Sequence, residues 1–141
     1  MSSVSIQAVS RTFEGRKGQR THALLPVDFE VRDNDFVTIL GPSGCGKSTL
    51  LRIVAGLDHA TSGRVLLDGA PVEGPGADRG MVFQSYTLFP WLTIEQNIRF
   101  GLRERGMPEA QQKERAAYFI AKVGLRGFEQ HFPKQLSGGM Q

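Results

Sequence analysis

Eight residues constrain this chain more than any others. Gly41-Pro42-Ser43-Gly44-Cys45-Gly46-Lys47-Ser48 fits the pattern G-x-x-x-x-G-K-[ST]. At average residue frequencies its four fixed positions coincide by chance in roughly half a percent of chains this long. The flanks narrow the reading. Phe36-Val37-Thr38-Ile39-Leu40 reads as a strand buried on both faces, the kind found in parallel sheets. Lys47 to Ala55 is apolar at Leu50, Leu51, Val54 and Ala55 and reads as a helix, with Gly56 placed as its C′ residue. A strand, a glycine-rich loop and a helix in that order bind phosphate: the loop amides form an anion nest, and the helix N-terminus adds unpaired donors and positive dipole. Nine of the 17 glycines lie between Gly41 and Gly80, where the backbone must turn tightly or approach a partner closely.

The residue types assign roles within the loop. Lys47 is expected to set its ammonium against the β- and γ-phosphates as a point charge. The Ser48 hydroxyl is expected to ligate Mg²⁺, a hard cation that prefers oxygen. Cys45 occupies a free position and reads as a small filler. The alternative, a thiol made reactive by the helix N-terminus, would make nucleotide binding sensitive to alkylation without making Cys45 a catalyst.

Elsewhere the hydrophobic pattern places further elements. Val4, Ile6 and Ala8 alternate with polar residues and predict a first strand, followed by a polar loop or hairpin connection over Arg11 to Thr21. Val27, Phe29 and Val31 predict a half-buried strand that ends at the Asp33-Asn34-Asp35 turn. Arg64 to Leu67, Asp68-Gly69 and Ala70 to Val72 predict a short hairpin, and Gly80 to Phe83 a short strand ending at Gln84. Thr93 and Gln96 form a capping box for a helix from Ile94 to about Leu102. Pro108 suits the first turn of a second helix, with Ala116, Phe119, Ile120 and Val123 as its apolar stripe and Gly124 as its stop. The order predicts an α/β core with a helical segment after it.

Composition excludes several classes. Hydrophobic residues make up 40% and charged residues 22%, which is ordinary globular usage and argues against wholesale disorder. No apolar run reaches the roughly 18 residues needed to span a bilayer, and Met1 to Ser5 lacks the features of a signal peptide. A single Cys leaves no intrachain disulfide. The net charge of +3 permits an anionic ligand without requiring nucleic acid. Arg103-Glu104-Arg105 and Lys113-Glu114-Arg115 mix signs and read as solvated helix faces. His22, His59 and His131 have no ligand partners at metal spacing.

A phosphate loop alone does not separate kinases, GTPases and transport ATPases. Two further segments do, taken with Gly41 to Thr49: Val82-Phe83-Gln84 and Leu136-Ser137-Gly138-Gly139-Met140-Gln141. In that set the chain resembles the ATP-binding subunits of ABC transporters. Gly41 to Thr49 matches their Walker A motif, Val82 to Gln84 their Q-loop, and Leu136 to Gln141 their signature. The resemblance implies an α/β P-loop core of the ABC ATPase type with an N-terminal antiparallel β region and a helical subdomain. The expected domains are residues 1–84, holding the β region and P-loop core, and 85–141, holding the Q-loop and the helical subdomain. It further implies ATP and Mg²⁺ as ligands. Gly41, Pro42, Ser43, Gly44, Cys45, Gly46, Lys47, Ser48 and Thr49 would hold the nucleotide, with Phe13 stacked on adenine. Ser48 and Gln84 would be at the metal. Ser137, Gly138 and Gly139 would reach the γ-phosphate bound on a second copy in a head-to-tail dimer. Lys47, Gln84 and Ser137 are then the catalytic candidates. Without the resemblance, Gln84 reads as an exposed polar residue at a strand end and Phe13 as a core aromatic. Met140 departs from the family pattern, in which Gln more often follows the two glycines directly.

Glu73-Gly74-Pro75-Gly76-Ala77-Asp78-Arg79-Gly80, with Leu88-Phe89-Pro90-Trp91, resembles the importer subgroup for nitrate, sulfonates and taurine. That implies membrane permease subunits as partners, a solute-binding protein as an indirect one, no nucleic acid, and a place on the cytoplasmic face of the inner membrane. Phe89, Pro90 and Trp91 read equally as local packing or a partner surface. The family's Walker B strand, adjacent Glu and later His follow the signature. The chain is therefore expected to be a fragment with an incomplete C-terminal half, inactive by itself; without the Walker B strand beside it, Phe36 to Leu40 is expected to keep unpaired backbone and exposed apolar surface, leaving the 141 residues poorly soluble or only partly ordered. Val65-Leu66-Leu67-Asp68 imitates Walker B, but Asp68-Gly69 is a hairpin-turn signal and no Glu follows. Two other readings stay open: a soluble ABC-type ATPase acting on nucleic acid or ribosomes, and a nucleotide-binding module without catalysis. The 89 positions from Lys47 to Leu136 exclude the long coiled-coil insertion of the DNA-repair type.

Overall fold

Alternating apolar residues open a long strand in the computed structural model, which describes residues 3–15, 18–85 and 87–140. Strand β1 runs Val4–Glu14 and pairs antiparallel with β2, Arg20–Val31, and with β3, Ser62–Leu67. β3 turns into the short β4, Ala70–Pro71, giving the order β2-β1-β3-β4. The alternation expected through Ala8 breaks there. Ala8 has φ 48°, and the register slips between Ile6 and Val9, so Val9 rather than Ala8 turns into the core. Such a bulge needs space opposite it, and Gly63 supplies it: a Cβ there would fall 2.2 Å from the Ala8 carbonyl oxygen. Of the loop or hairpin expected over Arg11 to Thr21, the hairpin forms: Phe13 and Glu14 pair with Thr21 and Arg20, and Arg11 and Thr12 with Leu24 and His22. Asp68 (φ 52°) and Gly69 (φ 80°) form the predicted two-residue turn between β3 and β4.

Helix α1, Lys47–Val54, lays Leu50 and Ile53 on the sheet residues Ile6, Val9, Leu24 and Val65, and these six form one core. Gly56 ends α1 as predicted. With φ 73° it donates to the Ile53 carbonyl at 3.0 Å, while Leu57 donates to that of Arg52 at 2.8 Å, a complete Schellman cap.

Two predicted strands are not strands. Phe36 to Leu40 forms no ladder, and only Ile39 packs against the core, while Phe36 and Leu40 are 94% and 87% exposed. Gly80 to Phe83 is likewise irregular, with Val82 exposed. Both segments carry the apolar run of a parallel central strand. Every ladder among the described residues is antiparallel, so neither segment has a strand to bond.

The described chain falls into two compact units, dividing between Val82 and Phe83. In the second, α2 spans Ile94–Glu104 and α3 spans Glu109–Lys122. The capping box forms as read: Gln96 N donates to Thr93 Oγ1 at 3.2 Å, and Thr93 N to Gln96 Oε1 at 2.9 Å. Pro108 stands one residue before α3, as its N-cap, rather than in its first turn. The buried face of α3 is Gln112, Ala116 and Ile120, while Phe119 and Val123 of the expected stripe are exposed. Ile120 joins Ile94 and Leu136 in a second core. No described helix is long and apolar enough to cross a membrane.

Candidate functional site

The glycine-rich loop leaves the sheet unpaired and enters α1 through Gly46, whose φ of 97° is left-handed. Such a residue starts a helix without a side-chain cap, and none is present. Intrahelical bonding begins with Leu50 N donating to Gly46 O at 2.9 Å. The amides of Lys47, Ser48 and Thr49 therefore have no backbone acceptor among the described residues, which is the donor cluster an anion needs. Gly46 is also the tight contact of the loop: a Cβ would lie 2.4 Å from the Ala23 carbonyl oxygen and 3.1 Å from Leu24 Cδ1. The loop thus rests directly on β2.

Lys47 folds its ammonium back over the loop and donates to the Gly41 and Pro42 carbonyls, each at 2.7 Å. Cys45 Sγ lies 3.6 Å from the same nitrogen and occupies the space that a Cβ on Gly41 would need. Cys45 fills the loop in the manner expected, and its thiol is also exposed. Ser48 is exposed beside these groups.

Phe13 stands on β1 and is 43% exposed. Across the hairpin it pairs with Thr21, two residues from the Ala23 on which Gly46 rests. With strands about 4.8 Å apart and about 3.4 Å per residue, the ring's backbone lies on the order of 10 Å from the loop. An exposed aromatic and a cluster of free amides therefore share one end of the sheet. Arg11, two residues earlier, is largely covered, its guanidinium carbon 4.6 Å from the centroid of the Phe13 ring and its Nη2 2.9 Å from Asp58 Oδ1. Neither Arg11 nor Asp58 was singled out by sequence pattern. The available signal was a cation two residues from an aromatic on one strand, where side chains share a face.

The segment after β4 packs on the end of α1. A Cβ at Gly56 would fall 2.1 Å from the Gly74 carbonyl oxygen, and Arg79 donates to that oxygen and, at 2.8 Å, to Asp78. Asp68 has no part in the loop: its Oδ1 accepts from Ser3 N at 2.6 Å. The described residues include no group of three or more His, Cys, Asp or Glu side chains able to hold a metal ion. His22 is taken up by Thr12, 3.1 Å away.

Gln84 and the Leu136 to Met140 segment belong to the second unit. Gln84 is exposed. Leu136 is buried and anchors a turn in which Met140 N donates to Ser137 O at 2.9 Å, leaving Ser137, Gly138 and Gly139 exposed. Asn97 clasps the preceding loop. Its Oδ1 accepts from Phe89 N, and its Nδ2 donates to the carbonyls of Phe89, Leu92 and Thr93. Phe89 packs on Phe100 and on Trp91, whose ring is exposed. Tyr86 and Gln141 lie outside the described residues.

Comparison with known proteins gives the family and the fold. Residues 24–141 match the family described as ABC transporter. The chain is 54% identical over 138 residues to an uncharacterised ABC transporter ATP-binding protein of Methanocaldococcus jannaschii, covering 98% of this chain and 51% of that one. It is 46% identical to the nitrate import ATP-binding protein NrtD of Synechocystis, covering 98% and 52%. It is 48% identical to the taurine import ATP-binding protein TauB of Burkholderia pseudomallei, covering 100% and 54%. The chain spans about half the length of these relatives. Among solved structures it superposes on a dimeric ATP-binding cassette in a post-hydrolysis state bound to ADP and Pi, with TM-score 0.84, 32% identity, and coverage of 97% of this chain and 64% of that one.

Proposed function

The chain belongs to the ABC transporter family, as an ATPase cassette of α/β fold, and from that premise we propose that it is the nucleotide-binding part of an importer's energy-coupling subunit, whose whole protein hydrolyses ATP to drive uptake of a small, anionic solute of the nitrate, sulfonate or taurine kind. The observation that carries this reading is the set of acceptor-free amides at Lys47, Ser48 and Thr49 beside the Lys47 ammonium, with the exposed Phe13 ring at the same end of the sheet. The amides of a left-handed Gly46 turn into α1 would take the β- and γ-phosphates. Lys47 would exchange its two loop carbonyls for phosphate oxygens, a charge-assisted contact stronger than the ones it gives up. Phe13 would stack on the base, which needs only a ring face.

Ser48 supplies one exposed hydroxyl of the hard-oxygen type, which fits Mg²⁺ held chiefly by the nucleotide's own oxygens. When bound, the ion neutralises charge on the transferring phosphoryl group. Ser137, Gly138 and Gly139 have short side chains and exposed backbone, so a second copy's γ-phosphate could be approached closely. ATP would then hold two subunits together, and loss of the γ-phosphate would release them, because the differential contact biases a two-state closure. Permease subunits would be met by the exposed Trp91 and its loop, on the cytoplasmic face of the inner membrane, with a solute-binding protein acting indirectly.

The test is Lys47→Ala in the full-length protein assembled with its membrane subunits. ATP-dependent uptake is expected to vanish, and undiminished uptake would refute the reading. Co-purification with membranes only when the permease is present separates the importer from a soluble ATPase acting on nucleic acid or ribosomes.

A further inference from the structure

We propose that Arg11 is a positioning residue for the base end of the nucleotide site, holding the Phe13 ring from behind and tying it to the segment that leaves α1. The inference rests on the reading of Phe13 as the base platform. Three observations carry it. First, the guanidinium lies over one face of the ring at 4.6 Å, although 43% of Phe13 remains exposed. One face is therefore backed by a planar cation while the ring still presents surface to a base, and the flat guanidinium covers a ring face more fully than a Lys ammonium does. Second, Arg11 is fixed by Asp58 at 2.9 Å, with both side chains about four-fifths buried. Asp58 follows directly on the Gly56–Leu57 cap of α1, the helix whose first turn offers the free amides. The ring end is thus tied by one ion pair to the C-terminal end of α1, away from the first-turn amides that would meet phosphate. Third, the buried Arg11 Nε has no hydrogen-bond partner among the described residues. A cation placed only to stabilise the core would be poorly placed here, since burial of an arginine costs unless its donors are satisfied. Orientation of the ring accounts for it.

The neighbouring contacts hold the same strand end. Thr12 N donates to Thr61 Oγ1 at 3.0 Å, and Thr61 N to the Ser10 carbonyl at 2.8 Å. The backbone of β1 is therefore fixed independently of Arg11, so the side chain can be changed without unpairing the strand. What Arg11 adds is the ring's orientation. Preorganising that ring would lower the ordering cost of base stacking and leave phosphate binding untouched.

The experiment compares MgATP with magnesium tripolyphosphate, which has the phosphates and no base, binding to the full-length protein. Arg11→Ala and Arg11→Lys are each expected to weaken ATP about 3- to 10-fold and to leave tripolyphosphate unchanged. Arg11→Ala added to Phe13→Ala should cost nothing more than Phe13→Ala alone, because the ring through which Arg11 acts is gone. Arg11→Lys guards against misfolding. If it weakens both ligands equally, Arg11 is structural and the proposal is overturned. Unchanged ATP affinity in both Arg11 variants, with Phe13→Ala still defective, overturns it while leaving Phe13 as the platform. Unchanged affinity in Phe13→Ala removes the platform and the proposal together. Failure of the wild-type protein to bind either ligand refutes the nucleotide reading itself.

Discussion

At the scale of single residues, the loop separates glycines that need conformational freedom from one that also needs space. Gly44 (φ 84°) has no heavy atom within 4 Å of a Cβ added to it, whereas Gly46 (φ 97°) would drive a Cβ to 2.4 Å from a backbone oxygen of β2. Gly44→Ala should therefore cost only the left-handed backbone penalty, about 1–2 kcal/mol. Gly46→Ala should cost more and loosen the loop's seat on β2. Urea unfolding of the two variants, monitored in the full-length protein, checks the order. Lys47→Ala removes a charge-assisted contact of about 1.5–3 kcal/mol, so nucleotide affinity should fall about 10- to 100-fold in a titration. These positions were legible in the sequence because the motif encodes local backbone chemistry. Arg11 and Asp58 were not, because their pairing spans 47 positions and depends on the hairpin register and the end of α1.

At the scale of elements, legibility followed whether an element's partners were local. The Thr93–Gln96 box and the Gly56 stop are closed by neighbours in sequence, and both formed as predicted. The stripe on α3 was half misread, because which of its residues are covered depends on α2 and on Leu136. Two tests belong here. Asn97→Ala would strip four hydrogen bonds from the Phe89 to Thr93 loop, leaving half-buried backbone groups unpaired at about 1–3 kcal/mol. The expected result is faster amide exchange over residues 89–93 with α3 unaffected. The second concerns acid. The hydrogen bond from Lys113, its charge, and then Arg99 hold the Glu109 carboxyl below its ordinary value of 4.5. A carboxylate lowered in the folded state contributes stability above its unfolded value and loses it as pH falls through the folded one. It also sits in the first turn of α3, where negative charge is favoured. Glu109→Gln should thus lower the helical signal near neutrality slightly and make it flatter on acidification. A variant as acid-sensitive as the wild type would show that Glu109 contributes nothing.

At the scale of the whole chain, Phe36 to Leu40 is unpaired and largely exposed, as expected of it without a strand beside it, while Gly80 to Phe83 is not the strand its pattern predicts. Phe36 to Leu40 and Gly80 to Phe83 have the composition of central parallel strands, but composition cannot say whether a neighbouring strand is present to complete the ladder. In the first unit the consequence is a set of large side chains in solvent: Phe36 at 94%, Leu40 at 87% and Val82 at 97% exposed. Each would gain about 1.5–3 kcal/mol on burial, and the unpaired backbone beside Phe36 and Leu40 is open to any extended segment. The second unit exposes Trp91, Phe119 and Val123 in the same way. A polypeptide of these 141 residues is therefore expected to bind a hydrophobic dye, to self-associate as its concentration rises, and to melt over a broad range. The full-length protein, which at the length of the relatives would be about twice as long, should bind far less dye per molecule. Phe36→Ser with Leu40→Ser separates the source. If the exposed strand-like segment drives association, the double variant stays monomeric at concentrations where the parent sequence does not. A 141-residue chain that melts sharply and reversibly as a monomer, without dye binding, would mean that these side chains find cover that the described contacts do not include.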